Sequence, residues 1–260
     1  MASEIRVDTV YNESGDSDSG LDMSTNDVVA VKIAGSEKVR VHSDGKLGVG
    51  TASPSYNVHS VTTSGSDYAG FFHNSSASGN STGLVVKGGA NNTGAGTFIV
   101  QDYSGNTDLM VDGNGHVTMP YQPAFLVYKS SSQSFDHSTV TTISWETEVF
   151  DNNADFGSNT FTAPVTGKYQ FNINLRINQL DTSANYYQIY FVTSNRTFYP
   201  IQGALGFDQD LAYWTMSVSA LADLDASDTC YLRIYQSSGA TQSSIDGQAI
   251  TSNFSGFLVA

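Results

Sequence analysis

Three oxygen-bearing side chains stand at alternate positions of one acidic stretch. "DNNADFG" places Asp151, Asn153 and Asp155 at the first, third and fifth positions of a calcium loop, and oxygen ligands at that spacing can converge on one ion. The pattern then breaks, because Phe156 stands where the loop needs glycine and Thr162 where a glutamate should close the site. Two hypotheses stay open: a structural calcium site and an ordinary Asx-rich turn. We expect no other cofactor.

Catalytic patterns are scarce in the rest of the chain. No H-E-x-x-H or C-x-x-C string occurs. The sequence therefore lacks the usual motifs of zinc-dependent hydrolysis and of dithiol redox chemistry. "GKLGVG" has the glycines of a phosphate loop, but Leu47 follows Lys46 where Ser or Thr is required. The histidines His42 and His116 border predicted turns. We therefore predict that the protein is not an enzyme.

The composition of the chain indicates an exposed β protein. Of its 260 residues only 14% are charged, and the formal net charge is -14. An acidic surface repels phosphate backbones and anionic lipids, so we expect neither nucleic acid binding nor membrane insertion, and no apolar run reaches the length of a membrane span. One cysteine, Cys230, excludes an intrachain disulfide. The N-terminus lacks an apolar segment behind a basic start, so we expect no secretion signal.

An internal repeat appears when residues 28–49 are laid over residues 98–119. Each copy reads strand, glycine turn, strand, Asp-Gly or Asn-Gly turn, strand, and Gly35 and Gly45 fall on Gly105 and Gly115. Such dipeptides favour the tight turns of antiparallel strands. A small isolated sheet is marginally stable in water. We therefore predict that three chains share these meanders in a β-prism shaft, about a threefold axis and without exposed edges.

Strands lengthen and aromatic residues become dense from about Tyr121 onward. Strand-like runs then recur every ten to fifteen residues with turn signals between them, which is typical of a sandwich or jelly roll. We predict an all-β chain with three parts: an anchoring segment at 1–27, a shaft at 28–120 and a jelly-roll head at 121–260.

The stretch "FTAPVTGKYQF" resembles the core signature of the C1q/TNF-like jelly-roll family, through Phe161, Gly167, Tyr169 and Phe171. "LADLDASDTCYLRI" is similar to the strand-turn-strand segment of that family, and "FSGFLVA" to its closing strand. The usual aromatic spacing upstream is not kept, since Ala154 stands seven residues before Phe161. The resemblance implies a homotrimer packed around an apolar threefold axis, with ligands bound on surface loops.

Two N-terminal stretches resemble phage proteins. "SEIRVDTV" is similar to the start of tail fibre proteins of marine phages, above all those that infect cyanobacteria, and "DGKLGVGTASPSYNV" to a shaft motif of phage and bacterial fibres. The resemblance implies a tail fibre of the virion. Its N-terminus would attach to a tail or baseplate protein, and its head would contact a glycan or protein of the host surface.

Polar and aromatic loops of the head are the predicted receptor contacts. The four candidate loops are 181–186, 195–199, 203–210 and 237–247, and the candidate contact residues are Tyr186, Arg196, Tyr199, Phe207 and Asp208. Three alternatives stay open. The protein could be a capsid or neck decoration fibre, a secreted lectin or adhesin, or a fibre-borne polysaccharide depolymerase whose paired carboxylates come from neighbouring chains.

Overall fold

The computed structural model describes residues 6–12, 18–75, 83–88, 90–203, 207–248 and 251–260. Every regular element within these ranges is a β-strand, which confirms the predicted all-β class. No helix in the described residues has the length and apolarity that a bilayer crossing requires. The chain divides into two compact units, residues 1–86 and 87–260. The predicted boundaries at residues 27 and 120 therefore differ from this division and stay a prediction.

The first unit contains one six-stranded sheet whose strands follow each other in chain order. Its strands are β1 (Thr9–Tyr11), β2 (Gly20–Asp22), β3 (Val29–Ile33), β4 (Ser36–Val41), β5 (Leu47–Val49) and β6 (Val58–Ser60). Neighbouring strands are antiparallel except β5 and β6, which are parallel. Because β2 pairs with β3, the described part of the predicted anchoring segment belongs to the same sheet as the first meander.

The second unit opens with a three-stranded antiparallel sheet. Its strands are β7 (Gly96–Gln101), β8 (Thr107–Asp112) and β9 (Val117–Thr118). Both copies of the repeat are thus three-strand meanders, as predicted. Apolar residues on these meanders stay exposed in the single chain: Val29, Ile33, Val41 and Val49 in the first copy, and Phe98, Ile99, Val100 and Val117 in the second.

The turns of the two copies agree at one position and differ at the other. Gly45 and Gly115 both have positive φ, 83° and 87°, and each donates its N–H to the carbonyl three residues earlier. At the first turn, Ala34 and Gly35 form a two-residue connection, whereas Gly105 lies in a wider loop. Both copies therefore turn at the matching position, but the second turn is longer, because the Asp102 carboxylate accepts the backbone and side-chain N–H groups of Asn106, at 2.9 and 2.8 Å.

The rest of the second unit is a sandwich of two antiparallel sheets. The front strands are β10 (Ala124–Tyr128), β11 (Gln133–Phe135), β13 (Thr147–Asp151), β16 (Gly167–Leu180), β20 (Leu211–Leu224), β22 (Ser243–Ile245) and β23 (Asn253–Leu258). The back strands are β12 (Thr141–Thr142), β14 (Phe156–Gly157), β15 (Thr160–Thr162), β17 (Tyr186–Thr193), β18 (Thr197–Phe198), β19 (Ile201–Gly203) and β21 (Thr229–Ser237). The front sheet has the order β11-β22-β16-β23-β10-β13, with β20 paired to β16. The back sheet has the order β14-β15-β21-β17-β18, with β12 paired to β21 and β19 paired to β17.

Alternation along the strands builds the core between the two sheets. Alternate residues of β16 from Tyr169 to Ile177 are buried, as the period of a strand with one inward face requires. Phe161, Tyr169 and Phe171 are fully buried. Phe125 stacks on Phe161 with ring centroids 5.1 Å apart. Residues 163–166 form a corner between two strands, since β15 ends at Thr162 and β16 begins at Gly167.

The sandwich has two ends, which we call the entry end and the far end. The chain enters at Ala124, which pairs with Phe257, and Gly167 pairs nearby with Leu224. Strand β16 runs from this entry end to Leu180 at the far end. Antiparallel pairing then places residues 163–166, 194–196 and 225–228 at the entry end. Residues 181–185 and 238–242 lie at the far end.

Candidate functional site

Tyrosines collect on the outward side of the back sheet. Strands β17 and β21 pair along their whole length, and Tyr190 lies directly opposite Arg233. Tyr187 and Ile189 point into the core and are fully buried, so their neighbours in β17 face outward. We call this surface the tyrosine face and define it by six residues: Tyr186, Tyr190, Tyr199, Tyr231, Arg233 and Tyr235.

The rings of the tyrosine face contact one another in pairs. Tyr190 and Tyr199 meet edge to face with centroids 5.4 Å apart, and Tyr186 and Tyr235 lie 6.1 Å apart. The guanidinium carbon of Arg233 lies 5.0 Å from the centroid of the Tyr231 ring, and its Nη2 donates a 2.7 Å hydrogen bond to the Tyr231 hydroxyl. The arginine is thus held in the middle of an aromatic surface.

The electrostatics of this face favour neutral phenols around one positive charge. Partial burial raises the pKa of Tyr190, and the hydroxyls of Tyr186 and Tyr235 raise it further, although Arg233 acts in the opposite direction. Arg233 forms no ion pair with a carboxylate in the part of the chain that the structure describes. An arginine presents five N–H donors, so this one retains capacity for an anionic group.

The five predicted contact residues do not form one site. Tyr186 and Tyr199 lie on the tyrosine face, whereas Arg196 lies at the entry end, where its Nη2 pairs with Asp223 at 2.7 Å. Phe207 packs near Trp214 with centroids 6.3 Å apart, in a region that follows β19. Asp208 is exposed beside it. Within the candidate loop 203–210, residues 204–206 lie outside the described residues.

Four residues of the tyrosine face were not among the predicted contacts: Tyr190, Tyr231, Arg233 and Tyr235. They were missed because they lie in strands, whereas the predicted contacts were chosen among loop residues. A signal was present in the sequence, because "YYQIYFVT" and "YLRIYQ" both place tyrosines at even spacing on the side opposite to the apolar residues. Only the pairing of β17 with β21 brings the two rows together.

The acidic loop of Asp151, Asn153 and Asp155 lies at the entry end and is closed by hydrogen bonds. The Asp151 carboxylate accepts the backbone N–H groups of Asp155 and Phe156, at 3.0 and 2.8 Å, and the Asn153 amide donates to the Tyr121 carbonyl at 3.0 Å. Burial raises the pKa of Asp155. These bonds are those of an Asx turn. Calcium binding at this loop stays a prediction.

Buried ionisable groups in the head have structural partners. The ammonium group of Lys129 is fully buried and donates to Ser144 O at 2.9 Å and to Glu146 Oε1 at 3.0 Å. In the described ranges no three His, Cys, Asp or Glu side chains cluster as a metal site would.

The string "GNSTG" at 79–83 has the spacing of a serine nucleophile turn. Residues 79–82 of this string lie outside the described residues.

Apolar residues are exposed on the outward side of the front sheet, near the entry end. We call this surface the front face, and its large exposed residues are Val149, Phe150, Leu221 and Phe257, with exposed fractions of 56%, 44%, 55% and 44%. Phe257 and Leu221 flank Gln170 in one row of paired residues. Groups of exposed large apolar residues commonly mark a protein interface.

One family model matches the region of the sandwich. The model of the C1q domain matches residues 124–259. The globular domain of zebrafish complement 1qA is similar at 16% identity and a TM-score of 0.40, covering 54% of this chain and 98% of that one. Murine APRIL is similar at 12% identity and a TM-score of 0.39, covering 53% and 99%. None of the curated proteins compared matches the chain.

Proposed function

Because this chain belongs to the C1q domain family, we propose that it is a homotrimeric tail fibre protein of a phage, whose head binds a receptor on the host surface during adsorption. Domains of this family form homotrimers. No catalysis is required by this role.

The exposed front face is the observation that supports the homotrimer in this proposal. An isolated head leaves Leu221 and Phe257 about half exposed, and burying apolar surface contributes roughly 25 cal/mol per Å². If each of three copies packs its front face against a neighbouring copy, these side chains are removed from water. The exposed apolar residues of both meanders support the same arrangement, since a shared shaft would bury them as well.

The attachment to the virion is supported by the N-terminal resemblance to phage tail fibres. In the proposal, residues 1–27 bind a tail or baseplate protein, and the protein is localised to the virion tail. The host receptor is a surface glycan or protein. A trimeric head presents three equal sites, and linking weak sites can raise the overall avidity by about 10²–10⁴.

Three experiments test this function. The purified protein, incubated with host cells before the phage is added, is expected to reduce adsorption, while heat-denatured protein at the same concentration should not. Antibody-gold labelling of intact virions is expected to mark the tail. Labelling of the capsid or neck would instead establish a decoration fibre, and release of reducing sugars from host envelopes would establish a depolymerase. Unchanged adsorption contradicts the proposed receptor binding.

A further inference from the structure

We propose that the tyrosine face binds a saccharide that carries a carboxylate, with Arg233 pairing the carboxylate and the tyrosines packing against the sugar rings. This inference rests on the proposed function, because it names the class of receptor that the head takes. It requires no cavity, since the site is the open surface of a sheet.

The unused donors of Arg233 are the first support. Its guanidinium makes one hydrogen bond within the described residues, from Nη2 to the Tyr231 hydroxyl. Arginine can bind a carboxylate through two parallel N–H···O bonds. The chain has 25 acidic residues against 11 basic ones, yet no described carboxylate pairs with this cation. A carboxylate from a ligand would supply the missing partner.

The tyrosines around the arginine are the second support. Tyr231 and Tyr235 stand two residues to either side of Arg233, about 6.6 Å away along the strand, and Tyr190 stands opposite it. Aromatic rings have a negative face that attracts the polarised C–H groups of a pyranose. The phenol hydroxyls both donate and accept hydrogen bonds, as sugar hydroxyls require. The row of rings therefore suits an oligosaccharide.

A second copy of this chain fits the tyrosine face less well. A twofold contact through this face would bring two Arg233 guanidinium groups close to each other, whereas a contact about a threefold axis joins two different surfaces of the chain. The half-exposed side chains Leu221 and Phe257 lie on the front face instead, on the other side of the sandwich. A trimer formed through the front face leaves the tyrosine face open to a ligand.

Calorimetric titration of the full chain tests the inference with matched sugar pairs. The carboxylated probes are trigalacturonate and 3′-sialyllactose, and their neutral counterparts are methyl-esterified trigalacturonate and lactose. We expect a dissociation constant on the order of 1 mM or lower for at least one carboxylated probe, and binding at least about tenfold weaker for its neutral counterpart. Equal binding of both members of each pair, or no heat from either carboxylated probe, overturns the inference.

Variants locate the site. Arg233→Gln is expected to weaken binding of the carboxylated probe by about tenfold or more, because a charge-assisted pair is lost. Tyr235→Leu is expected to weaken binding of the charged and neutral probes alike. Lys87→Gln is the control, since it removes one exposed positive charge outside the sandwich, and it should change the affinity less than twofold. An unchanged affinity of Arg233→Gln for the carboxylated probe contradicts the site. A change in the oligomeric mass of that variant also contradicts it, because the residue would then lie in a contact between chains.

Failure of this inference can be distinguished from failure of the proposed function. If the wild-type chain and Arg233→Gln reduce phage adsorption equally, the receptor role stands and the saccharide site is wrong. If trigalacturonate or 3′-sialyllactose binds through Arg233 but the protein never reduces adsorption, the saccharide site stands and the tail fibre role is wrong.

Discussion

Asp181 joins two far-end loops of the head, and its replacement by asparagine gives the most specific stability prediction. The side chain is 2% exposed. Its Oδ1 accepts hydrogen bonds from the backbone N–H and the hydroxyl of Ser183, at 2.9 and 2.5 Å. Its Oδ2 accepts from the backbone N–H groups of Ala240 and Thr241, at 2.6 and 2.8 Å. Both oxygens of this carboxylate are therefore fully used as acceptors.

The expected cost of Asp181→Asn follows from this geometry. The least damaging orientation places the new NH₂ group beside Ser183, whose backbone N–H then loses its acceptor, at about 1–3 kcal/mol. The bonds from Ala240 and Thr241 lose their charge assistance, at roughly 1 kcal/mol together. We therefore expect the free energy of unfolding to fall by about 3 kcal/mol. Asp210→Asn is the control, because Asp210 makes similar bonds to Thr182 on an exposed surface, and its cost should stay below about 1 kcal/mol.

The pH dependence gives a second readout of the same residue. Burial alone would raise the pKa of Asp181, but hydrogen bonds from Ser183, Thr241 and Ala240 outweigh it and lower the pKa to about 2, from 3.8. A lowered folded-state pKa contributes stability that is present above the unfolded value and is lost as the pH falls toward 2. The full contribution is roughly 2 kcal/mol, and about 1 kcal/mol of it should be lost by about pH 3.

Urea unfolding at fixed protein concentration, followed by tryptophan fluorescence, measures both effects. The difference between wild type and Asp181→Asn should be about 3 kcal/mol at neutral pH and should shrink by roughly 1 kcal/mol at about pH 3. A difference as small as that of Asp210→Asn, or one that does not change with pH, would refute the assignment of Asp181 as an ionised loop anchor.

Three further perturbations test the front face, the core and the acidic loop. Leu221→Asp is expected to dissociate the trimer, whereas Val165→Asp, which charges another half-exposed apolar position in a turn, should leave the mass of the trimer unchanged. Equal masses for the two variants would contradict the interface. Gly256→Ala would place a methyl group 2.7 Å from the Phe125 and Phe171 rings and should lower the free energy of unfolding by about 1–3 kcal/mol. In Gly157→Ala the new methyl group meets nothing within 4 Å, and the free energy of unfolding should fall by less than about 0.5 kcal/mol. Similar losses in the two variants would show that the core relieves the close contact of the methyl group in Gly256→Ala with the two rings. Added calcium should raise the melting temperature, and Asp155→Ala should abolish the rise; no rise in the wild type would refute the site.

The fold of the head was predictable because its strands carry a strict period of two. Tyr169, Phe171, Ile173 and Leu175 alternate with polar residues, and all four are buried in the structure. Local turn chemistry identified the meanders as well, since Gly45 and Gly115 adopt the positive φ that Asp-Gly and Asn-Gly turns favour.

The candidate site was not predictable to the same extent, because it depends on contacts between residues far apart in the chain. Tyr190 and Arg233 become neighbours only through the register of β17 and β21. The same register separates Arg196 from Tyr186 by the length of strand β17. The receptor contacts were predicted from the composition of the loops. Composition carries no information on which end of the sandwich a loop occupies.

The central claim is that the chain is a homotrimer whose head presents the tyrosine face to a receptor. Sedimentation velocity on the purified protein tests the assembly directly. The account predicts a single species with the mass of three chains of 27.8 kDa each. A species with the mass of one chain, stable across the concentration range, would contradict it.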